Sequence, residues 1–295
     1  MRYRMLGRTE LQVSELGLGA LEIGRDWPYW RQAEAEFQRP DETVAVRLIH
    51  RAIDLGVNFI DTAPAYFKSE ELLGLALEGK RHQVFLATKC GEWFDGHSSN
   101  YNYSYDETFR FMENSLRLLK TDYVDLLQIH SGSLEVVQRG ETMTAMKILR
   151  EQGKARFLGI SVDHEDAALA AIHSGEYDCI QLSYNLLNRV MEHQVLSLAK
   201  ERNIGIIVKD ALHQGKLTHK HLQIQDEDLK RRIAEYDQKA RSLSIGLPEY
   251  ALRFVLANPI ASSIIAGTKS IEHLEANVRC TEQEELTMKI DVMEK

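Results

Sequence analysis

The chain has 295 residues, of which 44% are hydrophobic and 27% are charged, so it can bury a sizeable core. This composition excludes a disordered, collagen-like or disulfide-stapled protein, and the formal net charge of −8 argues against a broad nucleic-acid-binding surface. The three cysteines lie far apart in sequence, as is typical of proteins from a reducing compartment. No apolar segment reaches the roughly 18 residues of a transmembrane helix, and the first residues lack the apolar stretch of a signal peptide. We therefore expect a soluble cytoplasmic protein.

Short apolar segments alternate with amphipathic segments along the chain. The alternation of polar and apolar residues across Gly7 predicts a hairpin over residues 3–13. Strands are predicted at 15–18, 58–61, 84–88, 124–129, 157–160, 179–182, 204–208 and 263–265. Helices are predicted from Thr43 to Gly56 and at 70–77, 106–119, 142–151, 166–172, 190–201, 229–243, 248–257 and 271–278. This alternation is typical of parallel βαβ units.

The number of units predicts the fold. About eight of them in a chain of this length match a (β/α)8 TIM barrel, and we predict this α/β fold with an N-terminal β-hairpin. The rival fold is a doubly wound open sheet, which would carry a GxGxxG motif after its first strand. Here Gly17 and Gly19 are followed by Glu22 in place of the third glycine, so the GxG is interpreted as a tight turn at the end of a strand. No low-complexity segment or Pro/Gly-rich linker interrupts the sequence, and residues 1–295 are predicted to form a single domain.

Polar side chains follow three consecutive predicted strands, where the chemistry of a barrel is located. Asp61 ends one strand and Tyr66 follows it by five residues, Lys89 follows the next strand, and His130 follows the third. Any one of them is compatible with an ordinary cap or ion pair, but four at consecutive strand ends indicate an active site.

The sequence around these residues resembles the signature of the aldo-keto reductase superfamily. The resemblance lies in ordered motifs at residues 6–9 (LGRT), 13–19 (VSELGLG), 58–66 (NFIDTAPAY), 69–70 (SE), 87–89 (ATK), 125–130 (DLLQIH), 153–161 (GKARFLGIS), 181, 184–185 (YN), 266–270 (AGTKS) and 277. These motifs cover nearly the whole chain. They imply a (β/α)8 barrel that reduces carbonyls or oxidises alcohols with a nicotinamide cofactor and without a metal.

The four polar residues suit this chemistry. Hydride delivery to a carbonyl carbon builds negative charge on the oxygen, which needs a proton donor, and Tyr66 is the candidate acid/base. A phenol has a pKa of about 10, so we expect the Lys89 cation to make Tyr66 a stronger acid. Asp61 is expected to hold the Lys89 ammonium in position, and His130 to donate a hydrogen bond that orients the substrate oxygen.

The resemblance also implies the residues that bind the cofactor. Ser161 and Gln181 resemble the family's ligands of the nicotinamide carboxamide, although Val162 replaces the usual Asn. For the adenosine end, the implied ligands follow the last strand and are Gly267, Thr268, Lys269, Ser270 and Asn277. A cation at Lys269 beside a helix start would bind the 2′-phosphate, so NADP(H) is expected rather than NAD(H).

Aromatic residues occur on two predicted loops at the same end of the barrel. Trp27 and Tyr29 follow the first barrel strand, and Trp93 follows Lys89. They would either form the wall of a substrate pocket or bury the loops that carry them. The polar stretch at 95–104 is interpreted as a loop near this pocket.

Three functions of different classes are considered. The favoured one is an NADP(H)-linked oxidoreductase that acts on an aldehyde, ketone, sugar or the matching alcohol. The second is a cofactor-binding regulatory subunit of the same fold with little turnover. The third is a metal-dependent hydrolase using Asp61 and His130, which is disfavoured because the first strand lacks an HxH motif. The expected partner is a small-molecule carbonyl or alcohol substrate, with no nucleic acid and no membrane, and no oligomeric state is indicated.

Overall fold

Eight parallel strands close into a barrel in the computed structural model, which describes residues 1–26, 38–218, 224–282 and 284–294. The strands, in chain order, are β1 (Tyr3–Met5), β2 (Gln12–Ser14), β3 (Leu16–Gly19), β4 (Phe59–Asp61), β5 (Phe85–Cys90), β6 (Glu92–Phe94), β7 (Ser99–Tyr101), β8 (Val124–Ile129), β9 (Ala155–Ser161), β10 (Cys179–Ser183), β11 (Gly205–Lys209) and β12 (Ala261–Gly267). Around the barrel the order is β3, β4, β5, β8, β9, β10, β11 and β12, after which β12 pairs with β3. The prediction of a (β/α)8 TIM barrel with an N-terminal β-hairpin is confirmed.

Helices alternate with the barrel strands. They are α1 (Leu21–Gly24), α2 (Glu42–Asp54), α3 (Ser69–Ala76), α4 (Tyr105–Leu119), α5 (Leu134–Arg139), α6 (Glu141–Glu151), α7 (Glu165–Ser174), α8 (Val195–Glu201), α9 (Glu227–Ser242), α10 (Leu247–Ala257), α11 (Ile271–Arg279) and α12 (Glu284–Glu294). Several begin at a capping side chain, as where Asp41 accepts from the backbone N–H of Val44 at 2.8 Å. The helix predicted over 190–201 is instead a 3-10 turn at Val190–Glu192 followed by α8, and the sequence analysis missed α1, α5 and α12.

The antiparallel hairpin of β1 and β2 covers one end of the barrel. Its buried residues Leu6, Leu11 and Val13 pack in one cluster with inward-facing barrel residues such as Phe59 and Ile207. Leu6 also lies against Gly205 at the start of β11, which places the hairpin at the amino-terminal end of the strands. The carboxyl ends are therefore the end available for chemistry.

Gly17 and Gly19 lie within β3, not in the tight turn that the sequence suggested. A Cβ at Gly17 would lie 3.0 Å from the backbone oxygen of Phe59 and 3.1 Å from the hydroxyl of Ser263. A Cβ at Gly19 would lie 3.3 Å from the backbone nitrogen of Gly267. The two glycines thus permit close packing of β3 against its neighbours.

A second hairpin, β6–β7, follows Lys89 where the sequence suggested only a polar loop. Glu92 pairs with Tyr101 and Phe94 with Ser99 in antiparallel register. In the connecting turn the carboxylate of Asp95 accepts from the backbone N–H groups of His97 and Ser98, both at 2.8 Å. These bonds hold the pKa of Asp95 far below its usual range.

Candidate active site

Neighbouring barrel strands bring the four predicted catalytic residues to one end of the barrel. Asp61 ends β4, Lys89 lies near the end of β5, and His130 directly follows β8. These strands are adjacent in the order β4, β5, β8. Tyr66 ends a 3-10 turn at Pro64–Tyr66, whose proline suits the first turn of a helix.

The buried ammonium of Lys89 joins Asp61 to Tyr66. Its Nζ donates to Asp61 Oδ2 at 2.5 Å, to the Thr62 carbonyl at 3.0 Å and to Tyr66 Oη at 3.1 Å. An ammonium has three N–H groups, so each of them has an acceptor. Burial lowers the pKa of Lys89, and the adjacent Asp61 opposes that shift.

The carboxylate of Asp61 is fully buried, and hydrogen bonds occupy both its oxygens. Oδ2 accepts from Lys89, while Oδ1 accepts from the amide groups of Gln128 at 2.9 Å and Gln181 at 2.8 Å. Gln128 was not predicted as a site residue. The signal was available, because Gln128 lies two residues before His130 and side chains two apart on a strand share a face.

The surroundings of Tyr66 keep its phenol protonated. Burial, and then the negative charges of Asp61 and Glu92, raise its pKa well above the usual value, whereas Arg25 opposes the shift. We expected the Lys89 cation to lower the pKa of this phenol. Because Asp61 lies 2.5 Å from the same ammonium, much of the field of that cation is compensated.

His130 lies against Tyr66 and Glu92. The rings of Tyr66 and His130 meet edge to face, with centroids 5.7 Å apart. His130 Nδ1 lies 3.1 Å from Glu92 Oε2. Burial and the cations of Lys89, Lys209 and Arg25 lower the pKa of His130 well below its usual value. Glu92 was also not predicted, although it lies only three residues after Lys89.

The buried guanidinium of Arg25 connects the Tyr66 turn to the β6–β7 hairpin. Its Nη1 donates to the Ala65 carbonyl at 3.1 Å and to Ser99 Oγ at 3.4 Å. Its charged carbon lies 3.6 Å from the centroid of the Phe94 ring, within the range of a cation–π contact. Arg25 was not predicted as a site residue, because it follows α1, which the sequence analysis did not detect.

Ser161 and Gln181, the predicted carboxamide ligands, are both buried at the barrel centre. Ser161 Oγ accepts from Lys209 Nζ at 3.0 Å, and the same ammonium contacts Asp163 at 2.7 Å. Gln181 Nε2 donates to Asp61 Oδ1 and, at 3.3 Å, to Gln128 Oε1. The side-chain amide of Gln181 therefore donates both its hydrogens to protein acceptors. Its side-chain carbonyl oxygen is the atom that could accept from the N–H of a cofactor carboxamide.

The predicted adenosine ligands lie between the end of β12 and α11. The side chain of Ser270 caps α11 by accepting from the His273 N–H at 3.3 Å, and Lys269 Nζ donates to the Gln38 carbonyl at 2.7 Å. Gly267 is exposed, Thr268 accepts from the Ser270 N–H at 3.1 Å, and Asn277 lies buried on α11. A lysine beside the start of a nine-residue helix is an arrangement that suits a phosphate group.

Of the three predicted pocket aromatics, Trp93 is the one within the described residues. It lies on β6, partly buried, with its ring centroid 5.9 Å from that of Phe111 on α4. Trp27 and Tyr29 lie outside the described residues.

Neither a metal-binding cluster nor a membrane-spanning helix occurs among residues 1–26, 38–218, 224–282 and 284–294. They contain no group of three or more His, Cys, Asp or Glu side chains that could hold a metal ion. Within the same ranges, no helix combines the length and the apolar character needed to cross a membrane.

The chain is similar to known proteins over nearly its full length. Residues 15–292 match the model of the Aldo/keto reductase family. The chain is 32% identical to L-galactose dehydrogenase of Arabidopsis thaliana, with 97% of this chain and 90% of the relative covered. It is 29% identical to the NADH-specific methylglyoxal reductase of Escherichia coli, with 92% and 91% covered. An aldo-keto reductase from Bacillus halodurans, solved in its holo form, superposes with a TM-score of 0.83 at 28% identity, covering 100% of this chain and 97% of that one.

Proposed function

Since the chain belongs to the aldo/keto reductase family, we propose that it is an NADP(H)-dependent oxidoreductase. It interconverts a carbonyl, in an aldehyde, ketone or sugar, and the corresponding alcohol by hydride transfer. Tyr66 is the general acid/base of this reaction. The three cysteines are free and buried, which is compatible with the cytoplasmic location that we also propose.

The observation that carries this proposal is the position of Lys89 between Asp61 and Tyr66. A carbonyl oxygen that gains negative charge needs a proton, and the phenol of Tyr66 holds one at neutral pH. The Lys89 ammonium, 3.1 Å from Tyr66 Oη, stabilises the phenolate that remains after the proton has moved. Asp61 accepts a hydrogen bond from the ammonium, and Gln128 and Gln181 in turn donate to Asp61 inside the barrel. The position of the ammonium is therefore fixed before the substrate binds.

The nicotinamide cofactor, when bound, supplies or accepts the hydride. We propose that Ser161 and the carbonyl oxygen of Gln181 bind its carboxamide. The adenosine end is bound by Gly267, Thr268, Lys269, Ser270 and Asn277. Lys269 favours NADP(H), because its ammonium would form a charge-assisted hydrogen bond to the 2′-phosphate. One relative is named NADH-specific, so this preference has to be measured on the protein itself.

The substrate is proposed to be a small polar carbonyl or alcohol. The two relatives are named for acting on a sugar and on methylglyoxal, both small oxygenated molecules. Around Tyr66 the described residues supply Arg25, Glu92 and His130, which favour a substrate with hydroxyl groups over a purely apolar one. Trp93 is proposed as part of the pocket wall near the base of the hairpin.

A cofactor-linked assay tests the proposal. We expect NADPH oxidation with aldehydes or ketones, or NADP⁺ reduction with sugars or other alcohols, followed by absorbance over a panel of aldoses, aliphatic and aromatic aldehydes and ketones. Metal chelators should leave the rate unchanged. A chain that binds NADPH but turns over none of these substrates would instead be a cofactor-binding regulatory subunit.

A further inference from the structure

The backbone directly after Tyr66 is strained. Phe67 has a φ of 56° and a ψ of −97°. Residues with a side chain that have a positive φ usually have a ψ of about +30° to +60°, so Phe67 lies outside even the left-handed region. Such a conformation persists only where the surrounding contacts enforce it, and conformations of this kind cluster at active sites. The contacts that hold this segment therefore bear on the position of Tyr66.

The end of α1 packs directly on the strained segment. The Gly24 carbonyl accepts from the Lys68 N–H at 3.1 Å. A Cβ at Gly24 would lie 2.3 Å from the Tyr66 carbonyl oxygen and 2.4 Å from the Ser69 nitrogen, so this close approach requires glycine. The approach places the next residue, Arg25, against the Tyr66 turn.

The buried guanidinium of Arg25 contacts both the turn and the β6–β7 hairpin. It donates to the Ala65 carbonyl at 3.1 Å, which belongs to the peptide bond that leads into the candidate acid/base, and to Ser99 Oγ at 3.4 Å. Its charged carbon lies 3.6 Å from the centroid of the Phe94 ring. The Phe94 ring in turn meets the Phe67 ring edge to face, with centroids 5.8 Å apart. The peptide before the candidate acid/base and the residue after it are thus both held from the hairpin side.

We propose that Arg25 is a positioning residue that, with Phe94, fixes the Tyr66 turn against the hairpin and so directs Tyr66 Oη at the reacting oxygen. This inference rests on the proposed function. Tyr66 Oη has to stay within hydrogen-bond distance of Lys89 Nζ while it meets the substrate. Without Arg25 the strained Phe67 segment is free to relax, and a displacement of about 1 Å at a catalytic group costs about 10²-fold in rate.

Steady-state kinetics with the substrate found in the cofactor-linked assay test the proposal. Arg25→Met removes the hydrogen bonds and the cation, and we expect kcat to fall by about 10- to 100-fold. KM and the cofactor Kd should change far less, because Arg25 acts on the acid/base. Arg25→Lys keeps a cation over the Phe94 ring and should recover part of the rate. Phe94→Leu should also lower kcat, and it serves as the second variant if Arg25→Met fails to fold. Arg110→Met, at an exposed arginine on α4, is the control and should keep wild-type kinetics.

A double variant decides whether Arg25 acts through Tyr66. Adding Arg25→Met to Tyr66→Phe should leave the residual kcat of Tyr66→Phe unchanged, because the oxygen that Arg25 positions is already absent. A further loss of kcat in the double variant would show that Arg25 only supports the fold, and it would overturn the proposal. A loss in Arg25→Met that appears only in KM or in the cofactor Kd would overturn it as well.

Amide hydrogen exchange tests the same contacts without turnover. The N–H groups of Tyr66 and Lys68 donate to the carbonyls of Ala63 and Gly24. We expect both groups to exchange faster in Arg25→Met, with exchange in β10 unchanged, because the opening is local. Exchange as slow as in the wild type would overturn the proposal whether or not the protein turns over a substrate. Faster exchange in a protein that turns over no substrate would refute only the proposed function.

Discussion

The phenol of Tyr66 is protonated at neutral pH and lies beside a cation that can stabilise its phenolate form. Burial and the negative charges of Asp61 and Glu92 keep it protonated at neutral pH. The Lys89 ammonium, 3.1 Å away, can stabilise the phenolate once the proton has moved to the substrate. A group of this kind donates only when a strong base forms in front of it, such as the alkoxide produced by hydride transfer.

Replacing Tyr66 by Phe tests this role, because the change removes one oxygen and leaves the ring. We expect kcat to fall by about 10²–10⁴-fold, the usual cost of losing a general acid. Cofactor affinity and Tm should stay close to wild type. Tyr3→Phe, at a half-exposed tyrosine on β1 at the opposite end of the barrel, is the matched control and should keep full activity. A Tyr66→Phe variant with nearly wild-type kcat would exclude Tyr66 as the acid.

Lys269 is the second side chain whose role a substitution can isolate. Lys269→Ala should weaken NADP(H) binding by about 1.5–3 kcal/mol, or about 10- to 100-fold in Kd, because a charge-assisted hydrogen bond to the 2′-phosphate is lost. NAD(H) lacks that phosphate, so its affinity should barely change. Fluorescence titration with both reduced cofactors measures the two values, and Lys230→Ala on α9 serves as a lysine control. Equal weakening of both cofactors, or a wild-type preference for NAD(H), would contradict the assignment.

Among the secondary-structure elements, the barrel strands could be predicted and the β6–β7 hairpin could not. Strands such as β8 and β10 are mainly apolar segments buried on both faces, which is the pattern of a parallel sheet. The β6–β7 hairpin has only three residues per strand, which is too short to show a strand periodicity in the sequence. It is held by the hydrogen bonds of the Asp95 turn and by the stacking of Arg25, which is distant in sequence, on Phe94.

The site shows the same division between local and long-range signals. Asp61, Lys89 and His130 could be predicted because each follows an apolar strand. Glu92 and Arg25 have their roles through partners that lie 38 and 40 residues away in sequence, so the local pattern did not identify them. Gln128 could have been identified, because it lies two residues before His130. Gln181 was identified, but its bond to Asp61 was not, because that bond crosses the inside of the barrel.

Asp95 provides a test of how the β6–β7 hairpin is held. Asp95→Ala removes the acceptor of four hydrogen bonds in the turn, from His97 N–H, Ser98 N–H, Ser98 Oγ and Asn100 Nδ2. We expect faster amide hydrogen exchange across 92–101, with exchange in β5 unchanged, because the opening is local. Asp106→Ala, in the first turn of α4, is the control. Hairpin exchange that is as slow in Asp95→Ala as in the wild type would show that the Arg25 and Phe94 contacts are sufficient.

For the whole molecule, one buried acid links folding stability to pH. Glu70, on α3, is buried and accepts from Thr88 Oγ1 at 2.6 Å, while its Oε2 has no hydrogen-bond partner within the described residues. The nearby cation, Lys89, already pairs with Asp61. Burial therefore raises the pKa of Glu70 to about 7. At pH values between about 4.3 and that value, Glu70 is protonated in the native state and ionised in the unfolded chain.

The sign of the resulting pH dependence follows from this difference in bound protons. Between the ordinary glutamate pKa of about 4.3 and the native value, the native state binds more protons than the unfolded chain, so the free energy of unfolding falls as pH rises. A tenfold difference in acid strength is worth about 1.4 kcal/mol, so at pH values well above 7 the ionised Glu70 costs on the order of 4 kcal/mol.

Glu70→Gln keeps the shape and an acceptor for Thr88 but carries no charge. We expect it to raise Tm over wild type at pH 8 and to match wild type near pH 5, in thermal unfolding followed by circular dichroism. Glu71→Gln, which removes the neighbouring exposed carboxylate paired with Lys68, should leave the pH dependence unchanged. If Glu70→Gln instead lowered Tm equally at both pH values, the ionised carboxylate would be stabilising the fold, because its attraction to Lys89 would then outweigh the cost of its burial.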